Sequence, residues 1–362
     1  MATVTASALL GLGAGLDADL DADIARVRAG RARRTRRRTI ALIAMGILIV
    51  VLFAAMLMLG NTIYPVSDVI AVLLGQQVPG ASFTVGTLRL PRAITAVLAG
   101  VAFGVAGSTF QTMLRNPLAS PDVIGITSGA SAAAILSLVI LHWSAGVTMA
   151  LALGAGLATA ALISLAARGG ESTGGRLILI GIGVGAMLDA VVAYLLLRAA
   201  VWDLPAAARW MTGSLNGSRM EEVPPLAIAV VVLVPVVLLL ARNLGALELG
   251  DATATALGVR VDRTRLLLVL AAVALACVAT ATTGPIAFVA FLAGPIAARI
   301  VGPGIPLVLP AALTGACLVM GADLLGQFAF DTKFPVGVIT GILGAPYLLY
   351  LLIRTSRRGG SS

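Results

Sequence analysis

Chemistry in this chain has to come from the few polar side chains that interrupt long apolar stretches. Asp189 stands in the middle of one such stretch and Asp323 in another. An ionised carboxylate at bilayer depth is costly, so an acid there pairs, faces water, or relays a proton or ion. The chain has one histidine, His142, one lysine, Lys333, and two cysteines, Cys277 and Cys317. A single histidine cannot assemble a zinc site. Next to Trp143 it reads as an interfacial residue. Both cysteines lie in apolar runs and read as inert small side chains rather than as a disulfide framework or metal ligands. No nucleophile–base pair is evident. A phosphate-binding loop requires Gly-x4-Gly-Lys-Ser/Thr, whereas Lys333 follows Phe328-Ala329-Phe330-Asp331-Thr332. The expectation is a chain with no catalytic residue, no metal and no cofactor of its own. If ATP and magnesium drive its work, they bind in another subunit.

The elements that carry these residues are helices. Hydrophobic residues make up 59% of the chain, charged ones only 11%, and the mean hydropathy is +1.04. Soluble domains carry about 25% charged residues. A hydrocarbon core about 30 Å thick takes about 20 apolar helical residues to cross, and such runs recur too often to form one soluble core. The pattern predicts an all-α, polytopic membrane bundle of about ten transmembrane helices. They fall near 40–60, 91–113, 124–141, 145–167, 177–198, 226–243, 265–283, 286–301, 307–326 and 335–353. The fourth, eighth and ninth are the weakest. Gly284-Pro285 and Gly294-Pro295 should break or kink the backbone. The 41 glycines fit helices that approach closely in lipid, where packing replaces the hydrophobic drive.

The net charge of +9 is nearly all arginine. Its distribution argues against nucleic-acid binding, because Arg26, Arg28, Arg31, Arg33, Arg34, Arg36, Arg37 and Arg38 stand just before the first span. That is the positive-inside signal, and it also meets anionic lipid headgroups. It places residues 1–39 in the cytoplasm as a basic tail, flexible or partly helical, with Asp17, Asp19, Asp21 and Asp23 near its start. Residues 40–355 form the membrane domain and 356–362 a second cytoplasmic tail. An even span count returns Arg354, Arg357 and Arg358 to the same side as Arg115, Arg168, Arg176, Arg242, Arg260, Arg263, Arg265 and Arg299. Arg89, Arg92, Arg198, Arg209, Arg219 and Lys333 fall outside. The expected location is the cytoplasmic membrane, with both termini inside.

Three stretches are more specific than hydropathy. The first is Leu88-Arg89-Leu90-Pro91-Arg92, followed by Gln111, Asn116-Pro117-Leu118-Ala119-Ser120-Pro121-Asp122 and Val123-Ile124-Gly125-Ile126-Thr127-Ser128-Gly129-Ala130. The second is Leu249-Gly250-Asp251-Ala252-Thr253-Ala254-Thr255-Ala256-Leu257-Gly258-Val259, with Arg263 and Arg265 behind it. The third is Phe334-Pro335-Val336-Gly337-Val338-Ile339-Thr340, continuing to Gly344-Ala345-Pro346-Tyr347. In order and spacing, over about residues 40–355, these resemble the FecCD-type permeases, membrane subunits of ABC importers for ferric siderophores, haem and vitamin B12. The resemblance implies a type II ABC importer permease architecture. Its implied partners are a second permease subunit, identical or paralogous, two ATPase subunits and an extracytoplasmic binding protein. The implied cargo is a ferric siderophore first, with haem or a corrinoid behind it.

Read residue by residue, each motif has a plain alternative. Arg89 and Arg92 flank a helix-starting proline; interfacial snorkelling accounts for one arginine easily, and the resemblance implies a docking edge for acidic residues of the binding protein. Lys333 would join them, because Gln327 stands where some relatives carry a docking arginine. Asn116, Pro117 and Pro121 read as a tight structural turn, which the resemblance places near an inner gate. The loop 244–264 reads as a short amphipathic helix stopped by Gly258. It either lies on the membrane surface or, as the resemblance implies, couples to the ATPase. In the coupling reading Leu249 opens the motif, Gly250 allows close backbone approach and Asp251 caps the helix. Ala254, Leu257 and Val259 then form the contact face. Asp323 reads as a structural hydrogen-bonding acid. Asp189 departs from the small or hydroxyl residue usual in relatives. It either faces a translocation pathway or bonds to a neighbouring helix. A carrier coupled to an ion gradient through Asp189 stays open as a second class of function.

Overall fold

The computed structural model describes residues 3–122, 125–167, 173–302 and 306–359. Val123, Ile124 and Arg168 lie outside them, as do the side chains of Asp17, Asp19, Asp21, Asp23, Arg354, Arg357 and Arg358. Within the described residues the chain is helical throughout. The helices are α1 (Thr3–Met58), α2 (Val66–Leu73), α3 (Leu90–Met113), α4 (Ile126–Ile135), α5 (Ala145–Ala166), α6 (Thr173–Arg198), α7 (Leu204–Met211), α8 (Val223–Leu239), α9 (Ala241–Glu248), α10 (Asp251–Ala256), α11 (Val261–Thr283), α12 (Val289–Val301), α13 (Val308–Phe328) and α14 (Val336–Gly359). Wider π-turns lead into α3 over Ser82–Arg89 and extend α4 over Leu136–Leu141.

Among the described residues, seven helical segments are long and apolar enough to cross a membrane: those ending α1, carrying α3, and forming α5, α6, α8, α11 and α13. Three shorter apolar segments, Ile126–Leu141, Val289–Val301 and Val336–Leu351, complete the set of ten expected from the sequence. The fourth and ninth spans, expected to be weak, are full-length helices in α5 and α13. Their hydropathy is diluted by small residues, because α13 is packed against α3 and needs close approach more than bulk. Four short helices, α2, α7, α9 and α10, lie outside the ten. The basic tail is helical from Thr3, continuous with the first span.

Contacts fix which helix ends lie together. At one end Arg37 Nη2 donates to the Arg299 carbonyl (3.2 Å), and Arg265 reaches Asp251 (3.0 Å). This basic end collects the start of the first span, α9, α10 and the C-terminus of α12. At the opposite end Arg92, Asp323 and Asn216 meet.

The core is built around α3. Its face Ala93, Ala96, Ala99, Ala102, Phe103, Ala106 and Phe110 is fully or almost fully buried. Glycines set the spacing: a Cβ on Gly104 would overlap the Ala311 carbonyl of α13, and one on Gly107 the Ala290 carbonyl of α12. Backbone against backbone is the geometry that small residues permit between membrane helices. Pro295 stands inside α12 and lacks an N–H, which leaves the carbonyl of Phe291, one turn earlier, without its helical donor. The buried Gln111 of α3 supplies it: its Nε2 donates to the Phe291 carbonyl at 2.9 Å. A span with a displaced proline is thus accommodated by a side chain from α3, 180 residues earlier in the chain than the carbonyl it serves.

Candidate functional site

At the basic end the expected coupling loop is two helices rather than one. Gly250 separates α9 from α10 with φ +103°, a conformation that L side chains rarely adopt. Its nearest neighbour is the Arg115 guanidinium, 3.8 Å from where a Cβ would stand, so the glycine serves backbone shape and not close approach. The end of α10 is a complete Schellman stop. Val259 N–H donates to Ala254 O (3.0 Å), and Gly258 N–H to Thr255 O (2.9 Å), with Gly258 at φ +84°. The hydrophobic pair that accompanies this stop, Ala254 and Val259, packs into the core. Those two residues, expected on the contact face, are therefore turned inward. The outward face carries Leu249 and Leu257, each 64% exposed. Asp251 makes no side-chain cap. Both its oxygens accept from Arg265 Nη2 (3.0 and 3.1 Å), and Oδ1 lies 3.5 Å from Arg115 Nη2. One acid thus ties α10 to the first turns of α11 and to the end of α3. The result is a shelf of two short helices that carries two exposed leucines.

Behind the shelf, Asn116 closes the turn after α3. Its Oδ1 accepts the Leu118 N–H (2.9 Å) while its own N–H reaches back to Gln111 O (3.0 Å). Pro121 is buried and Pro117 exposed. The turn leads to a cavity of about 380 Å3 lined by Leu118, Ser120, Asp122, Met211, Phe288 and Phe291 among others. Phe288 adopts φ +64° at the start of α12. Such strain in a bulky residue persists only where the surroundings hold it. Here its ring fills the space beside Gly344 of α14 and meets Phe291 edge-on at 6.2 Å. Burial pushes the Asp122 carboxyl up to about 7.

At the opposite end the two arginines expected to dock a partner are engaged within the chain. Arg89 Nη1 donates to the carbonyls of Leu57 (2.9 Å) and Met58 (2.8 Å), and Nη2 to Thr62 (2.7 Å). Leu57 and Met58 carry the last carbonyls of α1 and Thr62 lies in the loop after it, and Tyr64 lies under the guanidinium at 5.1 Å. Arg92 grips Asp323 with both arms of its fork: Nε to Oδ2 at 2.8 Å and Nη2 to Oδ1 at 2.7 Å. Its third nitrogen donates to Asn216 Oδ1 at 2.6 Å. Gln327 Nε2 also donates to Asp323 (2.8 Å), so Asp323, 1% exposed, is fully satisfied. Both arginines brace the mouth, and neither is a free charge. The proline pattern around them gave no sign of this, because the partners lie outside the motif: those of Arg89 are about 30 residues back and those of Arg92 over 100 residues on. Lys333 is exposed in the loop between α13 and α14.

Asp189 is exposed on α6, a helix buried over little of its length. Its helix neighbours Gly185 and Val192 face the bundle while Ile182, Ala186 and Ala193 face away. The carboxylate therefore sits on the border of an apolar face at mid-span.

Comparison with known proteins places this geometry. Residues 47–354 match the model of the FecCD transport family. The chain is 41% identical over 294 residues to the ferric enterobactin transport system permease protein FepG of Escherichia coli K12, covering 81% of this chain and 89% of the relative. It is 36% identical over 329 residues to the Fe(3+)-citrate import system permease protein YfmE of Bacillus subtilis 168, covering 90% and 98%. The cobalamin import system permease protein BtuC of Halobacterium salinarum is 34% identical over 274 residues, covering 75% and 74%. Among solved structures, an inward-facing metal-chelate type ABC transporter superposes with a TM-score of 0.77 at 25% identity, covering 86% of this chain and 98% of that one. The chain belongs to the FecCD transport family of integral membrane permeases.

Proposed function

We propose that this chain is the permease subunit of an ATP-driven importer of a ferric siderophore. It lies in the cytoplasmic membrane with both termini inside and forms the pathway with a second permease subunit. The observation that carries the reading is the shelf. Leu249 and Leu257 stand exposed at the ends of α9 and α10, and Asp251 ties that surface to Arg265 and approaches Arg115. Two exposed leucines on such a shelf suit a surface that another protein covers, the alternative cover being the membrane surface. An ATPase subunit on each shelf would transmit closure through α11 and α3 into the bundle. Cargo of the ferric-chelate class is supported by the relatives, several of which are named for ferric siderophore or ferric citrate transport.

The exposed border of α6 would face the partner permease and the pathway, since a carboxylate at mid-span is disfavoured against acyl chains. At the opposite end Arg89 and Arg92 would shape the surface on which a binding protein sits, leaving Lys333 as a free cation for docking. Lys333→Glu should then weaken association of the binding protein, and unchanged association would remove that role. The central test is co-purification of the ATPase with wild type and with Leu249→Asp/Leu257→Asp, each in lipid with binding protein added. The reading expects the variant to lose the ATPase, or its stimulation, while melting at the wild-type temperature. A variant that holds and stimulates the ATPase normally would refute the coupling role.

A further inference from the structure

The matched family region begins at residue 47, so the arginine-rich part of α1 lies outside it. Eight arginines, Arg26, Arg28, Arg31, Arg33, Arg34, Arg36, Arg37 and Arg38, occur on one uninterrupted helix that continues into the first span. In the sequence no acidic residue stands between Asp23 and Asp68. At 3.6 residues per turn they fall on every side of the helix. Directly after them Ile40, Ile43, Ile47, Val50 and Val51 are exposed, as a lipid-facing helix requires.

From these placements we infer that residues 31–38 form a collar that binds anionic phospholipid headgroups of the cytoplasmic leaflet. The dimensions fit. Arg31 stands nine residues from Ile40, or about 13 Å along the helix. The headgroup zone is about 5–8 Å deep on each side, and the Debye length at physiological salt adds about 8 Å. A protein partner would meet one side of a helix, whereas headgroups surround it, and a collar charged on all sides suits the second. The collar is also tied to the bundle. Arg37 Nη2 donates to the Arg299 carbonyl at the end of α12, and the Arg299 guanidinium lies 5.1 Å from the rings of Tyr347 and Tyr350 on α14. Lipid held at the collar would therefore stabilise the α1–α12–α14 contact. This rests on the membrane-spanning fold and the inward orientation, and not on any cargo or ATPase.

The test uses the full-length chain in detergent, stripped of lipid. Thermal unfolding is followed with added phosphatidylglycerol or phosphatidylcholine of the same acyl chains, at 50 and 500 mM salt, and bound lipid is counted by native mass spectrometry. Ligand that binds the folded state raises the melting temperature. The expected result is a rise of several degrees with phosphatidylglycerol at low salt, little with phosphatidylcholine, and loss of the difference at high salt. Replacing Arg31, Arg33, Arg34 and Arg36 with glutamine should abolish most of the rise and reduce phosphatidylglycerol adducts several-fold. The same four positions changed to lysine should keep both. These variants leave Arg37 and Arg38 in place, and the remaining cytoplasmic arginines preserve the insertion signal. Equal shifts with both lipids, a glutamine variant that keeps the full rise, or a lysine variant that loses it would overturn the inference. A glutamine variant that keeps its lipid preference but loses a co-purifying protein would assign the collar to that protein instead.

Discussion

Gln111→Met should destabilise the bundle only while residue 295 is proline. The native helix α12 has a missing donor at Pro295, and Gln111 Nε2 fills it at the Phe291 carbonyl (2.9 Å), with Gln111 8% and Phe291 5% exposed. Methionine keeps most of the volume and removes the donor, leaving a buried carbonyl unsatisfied. That costs about 1–3 kcal/mol. Pro295→Ala restores the helical N–H and gives the carbonyl its ordinary partner. The expected cycle is a loss of about 2 kcal/mol for Gln111→Met in the native background and under about 0.5 kcal/mol in the Pro295→Ala background. At about 2 °C per kcal/mol for a chain of this size, the first is a drop of about 4 °C. The assay is thermal unfolding in detergent, reported by a thiol-reactive dye as buried Cys277 becomes accessible. Equal losses in both backgrounds would show that Gln111 acts by packing alone, and no loss in either would show that the carbonyl is satisfied by other means.

Removing Asp323 from the Arg92 fork, as in Asp323→Leu, should cost about 3–5 kcal/mol, because it strands a largely buried guanidinium; adding Arg92→Met should recover most of that. A melting temperature unchanged by Asp323→Leu would mean that Arg92 is free to face a partner after all. Gly107→Val should prevent the α3–α12 approach at the Ala290 carbonyl and yield little folded protein by gel filtration, whereas Gly321→Val, with open space around it, should fold normally. Asp122 carries a pH signature. Burial raises its carboxyl from about 3.8 in the unfolded chain to about 7. Between those values the folded state holds a proton that the unfolded chain releases, so stability falls as pH rises from about 4 to 7 and levels off above. The full gap corresponds to about 4 kcal/mol, brought to about 2 kcal/mol by the side chain's partial exposure. Melting curves at pH 5 and 8 should show this loss in wild type and not in Asp122→Asn, and identical pH dependence would refute it.

The sequence was most informative where local physics decides. Ten apolar segments predicted ten membrane-length or near-membrane-length helices, because hydropathy is summed within each segment and no partner is needed to read it. Gly258 announced a helix stop for the same reason: an αL position after a short apolar helix calls for glycine. The roles of charged residues were not legible in this way. Arg89 looked like a surface charge, yet it ends α1 by taking three carbonyls from residues 57–62. Arg92 looked like its neighbour's twin, yet its partners are Asp323 and Asn216. A guanidinium offers five donors on a long stem, so its identity leaves open whether it faces water, a partner or its own backbone. Only the fold chooses among them.

The same contrast explains why the faces of the 249–259 stretch were only partly legible. The motif 249–259 was located by its glycines, but its faces were assigned by residue type, with small apolar residues taken as contacts. A Schellman stop reverses that assignment for two of them, since it turns the residue after the glycine back onto the helix. Val259 meets Ala254 inside the core, and Leu249 and Leu257 remain outside. The mechanical consequence follows. Asp251 fastens α10 to Arg265 on α11 and approaches Arg115 at the end of α3, and α3 in turn holds α12 through Gln111 and α13 through Arg92. The two leucines are thus linked to the braced mouth by way of α3, which carries polar contacts at its two ends and an apolar face between them. Cutting that link at Asp251 with Asp251→Asn should leave the distant Arg92–Asp323 pair intact and the shelf folded. If the link carries coupling, ATPase binding would then persist while its response to binding protein falls. A normal response in that variant would place the coupling elsewhere.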